Sequence, residues 1–142
     1  MRVGNESSVR DRLAEIAQRF GLRILYAFGS RSVEALDMVE GRRVSLAQGP
    51  SDLDLGYRAS PELTVDRKVE LASALEDLFG VGRVDLVDAT TASPTLAFAV
   101  VCGELLYAAD PGEEARFQLE IMRRYADLKP LLDERRRLSL GE

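Results

Sequence analysis

The sequence predicts an α/β fold, a small sheet flanked by helices, and three observations carry that reading. Apolar residues recur at helical spacing in long stretches, short apolar runs of strand length lie between them, and glycines or a Ser-Pro pair punctuate the joins. Hydrophobic residues make up 46% of the 142 and charged residues 30%, the balance of an ordinary globular chain able to bury one core.

The elements follow in order. Val9, Leu13, Ile16 and Phe20 mark a first helix that stops at Gly21. Ile24–Phe28 is a first strand, ending at a Gly29-Ser30 corner. Residues 31–51 read as an extended loop in which Glu34–Val39 has room for a helical turn, with turn signals at Glu40-Gly41 and Gly49-Pro50. Asp52–Tyr57 is a second strand. Val65, Val69, Ala72, Leu75 and Phe79 form the stripe of a second amphipathic helix, closed by Gly80 and Gly82, and Arg83–Val87 is a third strand. Ser93-Pro94 is a helix start, with serine as cap and proline in the first turn. Thr95–Cys102 after it is apolar on nearly every side, as a buried segment is. Glu104–Ala108 is a short strand. Asp110-Pro111-Gly112-Glu113, a capping-box variant, opens a long last helix with Phe117, Ile121, Tyr125 and Leu128 on one stripe, read as core rather than interface. Pro130 either kinks that helix or starts another turn. Residues 1–142 therefore read as a single domain without repeat or linker.

Composition removes several classes of chemistry. There is no histidine, which excludes Ser-His-Asp triads, Cys-His pairs and histidine-bound zinc. The single cysteine, Cys102, forms no intrachain disulfide and reads as a small core residue within an apolar run. A formal net charge of −5 argues against a nucleic-acid footprint, which needs a basic face. No apolar run approaches 18 residues and no signal peptide is evident, so neither membrane contact nor export is expected and the chain reads as cytoplasmic.

The chemistry concentrates in Gly29-Ser30 and in Ser51-Asp52-Leu53-Asp54-Leu55. In a strand, residues i and i+2 share a face about 7 Å apart, so Asp52 and Asp54 point together while Leu53 and Leu55 point into the core. Two like charges so placed repel, and a divalent cation held by oxygen ligands is the usual reason a fold keeps them. In Val84-Asp85-Leu86-Val87-Asp88 the same alternation puts Asp85 opposite Val84 and Leu86. Asp85 is either a solvated residue on an open sheet face or, if its strand lies beside that of Asp52 and Asp54, a third converging carboxylate. Asp88 falls at the strand end and is the weaker candidate.

Phe28-Gly29-Ser30-Arg31, Ser51–Leu55 and Val84–Val87, in that order and those strand contexts, resemble the minimal nucleotidyltransferases of the DNA polymerase beta superfamily. The similarity is greatest to the small adenylyltransferase antitoxins, MntA-like proteins paired with HEPN toxins, and covers about residues 8–138. It implies a polymerase-beta-like nucleotidyltransferase fold with a small mixed sheet. It further implies transfer of AMP from ATP to a tyrosine hydroxyl of a HEPN-family toxin, an RNase, with which the chain would form a hetero-oligomer. On that resemblance Gly29 and Ser30 approach the phosphates, and Asp52, Asp54 and Asp85 are the catalytic carboxylates that hold Mg²⁺. Asp85 lies nearest the acceptor hydroxyl.

Two features depart from the family pattern. Residues 31–51 make a stretch about twice the usual length between the Gly-Ser pair and the first aspartate, and Ser32-Val33-Glu34 replace a small residue, an arginine and a glycine. The long stretch reads as a lid, a partner contact or the mark of a decayed site. Two other functions therefore stay open beside the enzymatic antitoxin: a catalytically inactive antitoxin acting by binding, and a small-molecule nucleotidyltransferase of the aminoglycoside-modifying kind. Arg31 reads either as a phosphate contact or as an exposed arginine. Arg135-Arg136-Arg137 reads as complementing the last helix's dipole rather than as an RNA or partner contact.

Overall fold

The computed structural model describes residues 7–47, 49 and 52–140. Helix α1 (Val9–Phe20) starts where the Ser8 hydroxyl accepts a hydrogen bond from the Asp11 amide, and it stops at Gly21 in the left-handed region. Strand β1 (Leu22–Phe28) runs into a 3-10 turn over Gly29–Arg31 and then helix α2 (Ser32–Val39). Strand β2 (Leu53–Ala59), helix α3 (Val65–Phe79), strand β3 (Val84–Asp88), helix α4 (Pro94–Val101), strand β4 (Glu104–Ala108) and helix α5 (Pro111–Ser139) complete the order.

The four strands form one mixed sheet in the order β3-β2-β1-β4. β2 and β4 run antiparallel to β1, and β3 runs parallel to β2 across the α3 crossover. Alternation splits the sheet into two apolar faces. Leu25, Ala27, Leu53, Leu55, Tyr57 and Val84 join Leu13, Phe20, Leu71, Leu75 and Phe79 in a core against α1, α2 and α3. Ile24 and Tyr26 join Val100, Val101, Phe117 and Ile121 in a second core against α4 and α5. α4 can lie close because Gly56 has no side chain: a Cβ there would overlap Val100 Cγ1.

The structure corrects several expectations. The loop expected over 31–51 begins with a helix, because Ala35, Met38 and Val39 supply an apolar face that the core covers. Among the described residues the irregular stretch thus begins at Glu40, and its residues 40–47 are pinned by Leu46, which is 7% exposed within the main core. The expected turn residue Pro50 and the motif residue Ser51 lie outside the described residues. On α3 the buried stripe is Leu71, Leu75, Leu78 and Phe79, while Val65 and Val69 face solvent. Both stripes share Leu75 and Phe79, and the leucine-bearing one buries more apolar area.

α4 buries only Ala97, Val100 and Val101, leaving Leu96 exposed, because α5 packs against one flank and covers no more. Cys102, expected in the core, is exposed where α4 turns toward β4. The α5 stripe is buried at Phe117 and Ile121 and half-buried at Tyr125, whose ring stacks on Phe98 at 3.9 Å. The helix continues through Pro130. The Asp110 side chain caps α5 by accepting from the Gly112 amide at 3.1 Å. Glu113 is drawn instead to Arg23, 2.7 Å away. Among the described residues no helix is long and apolar enough to cross a membrane.

Candidate active site

The sheet register decides which carboxylates meet. Phe28 pairs with Asp54 across β1 and β2, and Asp54 pairs with Asp85 across β2 and β3. Laterally paired residues share a face, so Asp54 and Asp85 stand side by side on the face that carries Ile24, Tyr26 and Phe28. They sit at the end of that face, beyond the second apolar core, where the half-buried Phe28 side chain forms its border. Leu53, Leu55, Val84 and Leu86 point to the opposite core and hold the strands in this register.

β1 ends against this pair. Gly29 has φ +79°, and a Cβ on it would stand 2.5 Å from Asp54 Oδ2. Its backbone therefore needs both the left-handed region and the missing side chain, which lets the Asp54 carboxylate lie against it. Ser30 follows, exposed in the 3-10 turn that leads into α2. Backbone N–H groups at a helix start lack intrahelical partners and favour anions, so this corner suits phosphate oxygens.

Asp52 precedes β2 by one residue and does not belong to the strand as expected. Its carboxylate faces Arg83, with Arg83 Nε 3.4 Å from Asp52 Oδ2. Burial first, then the charges of Asp85 and Asp52 and a hydrogen bond with Asp85, hold the Asp54 carboxyl above the usual aspartate range.

The donor set suits a hard divalent cation: carboxylate oxygens only, crowded, with the bare Gly29 backbone against one of them. As the side chains stand, no three carboxylates among the described residues close into a metal-ligating group. Asp54 and Asp85 would hold the ion, with Asp52 joining when it leaves Arg83.

The remaining candidates fall elsewhere. Asp88 points to the opposite face from Asp85, and its Oδ1 accepts from the Thr90 amide at 2.9 Å, closing the turn after β3. Arg31 is nearly buried, pairs with Glu34 at 3.5 Å and donates to the Ala47 carbonyl, so it ties residues 40–47 to α2. Arg136 and Arg137 lie in the last turn of α5, where cations complement the helix dipole. The sequence reading left Arg83 without a role. Its signal was parity: two residues before Asp85 on the same strand approach, Arg83 shares its face.

Comparison with known proteins follows this geometry. The family model described as Polymerase beta, Nucleotidyltransferase matches residues 11–112. No curated protein sequence matches. Among solved structures, one described as a toxin-antitoxin with AMP-PNP is 23% identical, covers 88% of this chain and 96% of its own, and superposes with a TM-score of 0.64. Another, a tri-AMPylated Shewanella oneidensis HEPN toxin in complex with MNT antitoxin, is 22% identical over 89% of this chain and 94% of its own, at 0.60. A MntA-HepT toxin-antitoxin structure is 21% identical over 89% and 95%, also at 0.60. At these identities the likeness is one of fold. With the family model spanning the whole sheet and the whole Gly29–Asp85 constellation, the chain belongs to the Polymerase beta nucleotidyltransferase family.

Proposed function

We propose that this protein is a metal-dependent adenylyltransferase antitoxin, moving AMP from ATP to a tyrosine hydroxyl of a HEPN-type RNase toxin. The observation that carries it is the lateral pairing of Asp54 with Asp85 beside the Gly29 corner, on a nucleotidyltransferase fold. Further support comes from the fold shared with toxin-antitoxin complexes, one holding an ATP analogue and one an AMP-modified toxin.

In this reading the Gly29-Ser30 corner receives the triphosphate: the bare Gly29 backbone permits close approach and the Ser30 hydroxyl donates to phosphate oxygens. Asp52, Asp54 and Asp85 would hold Mg²⁺, which when bound would supply positive charge against the triphosphate, and the tyrosine oxygen displaces pyrophosphate from the α-phosphorus in line. Asp85, on the edge strand, stands toward the incoming tyrosine and accepts its proton. The protein's contribution is placement and fixed charge rather than covalent chemistry. The single domain acts in the cytoplasm as part of a hetero-oligomer with its toxin, without binding nucleic acid.

The test is incubation of the purified protein with labelled ATP, Mg²⁺ and a HEPN-type toxin encoded beside it. Label on the toxin, and a mass increase of one AMP unit or a multiple on a tyrosine, are expected. A protein carrying Asp52→Asn and Asp54→Asn together should stay folded but neither label the toxin nor protect cells from it. Protection by the double variant without a change in toxin mass would show inhibition by binding alone.

A further inference from the structure

Arg83 pairs with a carboxylate of this group, and its position has a consequence for ligand binding. Its carbonyl accepts from the Leu53 amide at 3.2 Å, so its backbone is fixed directly beside Asp52. Its side chain leaves the chain on the face that bears Asp85, and its Nε stands 3.4 Å from Asp52 Oδ2. Both partners are well exposed, Arg83 at 72% and Asp52 at 41%, so the pair is weak and readily exchanged.

We propose that Arg83 is a positioning residue that competes with the divalent cation for Asp52 and, once displaced, grips the triphosphate. This inference rests on the function proposed above. Asp52 cannot give its full charge to both a guanidinium and a metal ion, so a cation that recruits Asp52 must release Arg83. The freed side chain pivots from a backbone anchored at the same end of the sheet as the Gly29-Ser30 corner, across β2 from it, where the phosphates would lie. A planar guanidinium fork matches phosphate oxygens in pairs, which an ammonium group does not. Arg83 thereby couples the two ligands. It weakens binding of the metal alone and strengthens binding of metal with nucleotide, so the site fills in one concerted step.

The opposite signs make this testable by binding alone. Mn²⁺ without nucleotide is titrated by electron paramagnetic resonance, and a non-hydrolysable ATP analogue with Mg²⁺ by calorimetry, on wild type, Arg83→Gln and Arg83→Lys. Arg83→Gln should bind Mn²⁺ about two- to fivefold more tightly, the scale set by loss of an exposed ion pair. The same variant should bind the Mg²⁺–nucleotide complex roughly tenfold more weakly, as loss of one charge-assisted phosphate contact implies. Arg83→Lys should match wild type toward Mn²⁺ and resemble Arg83→Gln toward nucleotide. If Arg83→Gln leaves both affinities unchanged, or moves them in the same direction, the coupling role is wrong while the proposed function stands. If wild type binds no nucleotide with Mg²⁺, the proposed function fails and this inference fails with it.

Discussion

Asp54 and Asp85 are register partners on adjacent parallel strands, so their carboxylates stand side by side on one face of the sheet. Every other feature of the site is arranged around that pair: Gly29 clears space on one side of it, and Asp52 and Arg83 border it on another.

The raised Asp54 carboxyl has a definite pH signature. Because its folded-state pKa lies above the unfolded value, the folded protein binds more protons between the two. The contribution to stability is fully present below the ordinary aspartate range, near 3.9, and is lost as pH rises through the raised Asp54 value. Asp54→Asn removes that penalty. Chemical denaturation should show the variant more stable than wild type at pH 7, by about 1 kcal/mol or less at this half-exposed position. The advantage should vanish as pH falls below the ordinary aspartate range. A constant difference across the range would place its origin in packing.

Gly29→Ala meets two obstacles at once, a left-handed backbone and the Asp54 carboxylate. The backbone part costs roughly 1–2 kcal/mol. The steric part pushes Asp54 away from Asp85 and should abolish AMP transfer while the fold survives. Equilibrium unfolding read beside labelled-ATP turnover separates the two effects: a variant with normal turnover would mean that the corner tolerates a side chain.

Gly56→Ala tests how the second core supports the site from below. Its Cβ would overlap Val100, so α4 must back away from β2 or Val100 must move. Overpacking of this kind costs about 1–3 kcal/mol. Val100→Ala should restore much of that loss when combined with Gly56→Ala, giving a double variant less destabilised than the sum of the singles. Strict additivity in denaturation would show that the two positions do not press on each other.

Leu46→Ala addresses residues 40–47, which follow α2. Leu46 is the buried residue of that stretch, and Arg31 holds the neighbouring Ala47 carbonyl. The stretch is therefore docked rather than hanging free as a lid. Removing the anchor should cost about 2 kcal/mol or more. Hydrogen exchange should rise first in residues 40–47, with α3 and β2 still protected. Unchanged exchange there would mean that Arg31 alone keeps the segment in place.

Much of the architecture was readable from residues taken in order. Local rules with short range wrote it: Ser8 and Ser93 as caps, Gly21 and Gly80 in the left-handed region, and strict alternation around Asp54 and Asp85. The Gly29-Ser30 corner and the two aspartate-bearing strands were also visible, because a strand's parity tells which side chains share a face before any partner strand is known.

Other features depended on what lay across the core. The sequence of α3 offers two stripes with Leu75 and Phe79 in common, and only the sheet beneath selects the leucine-rich one. α2 is too short to be stable alone, and it forms because Ala35, Met38 and Val39 find a core to cover. That Asp85 stands beside Asp54, that Gly29 is bare for the sake of the Asp54 carboxylate, and that Arg83 holds Asp52 are likewise tertiary facts. The sequence by itself determined which residues share a face, since that follows from the bond geometry of each chain segment. Strand order and register, set by how the whole chain packs, decided which faces and charges meet.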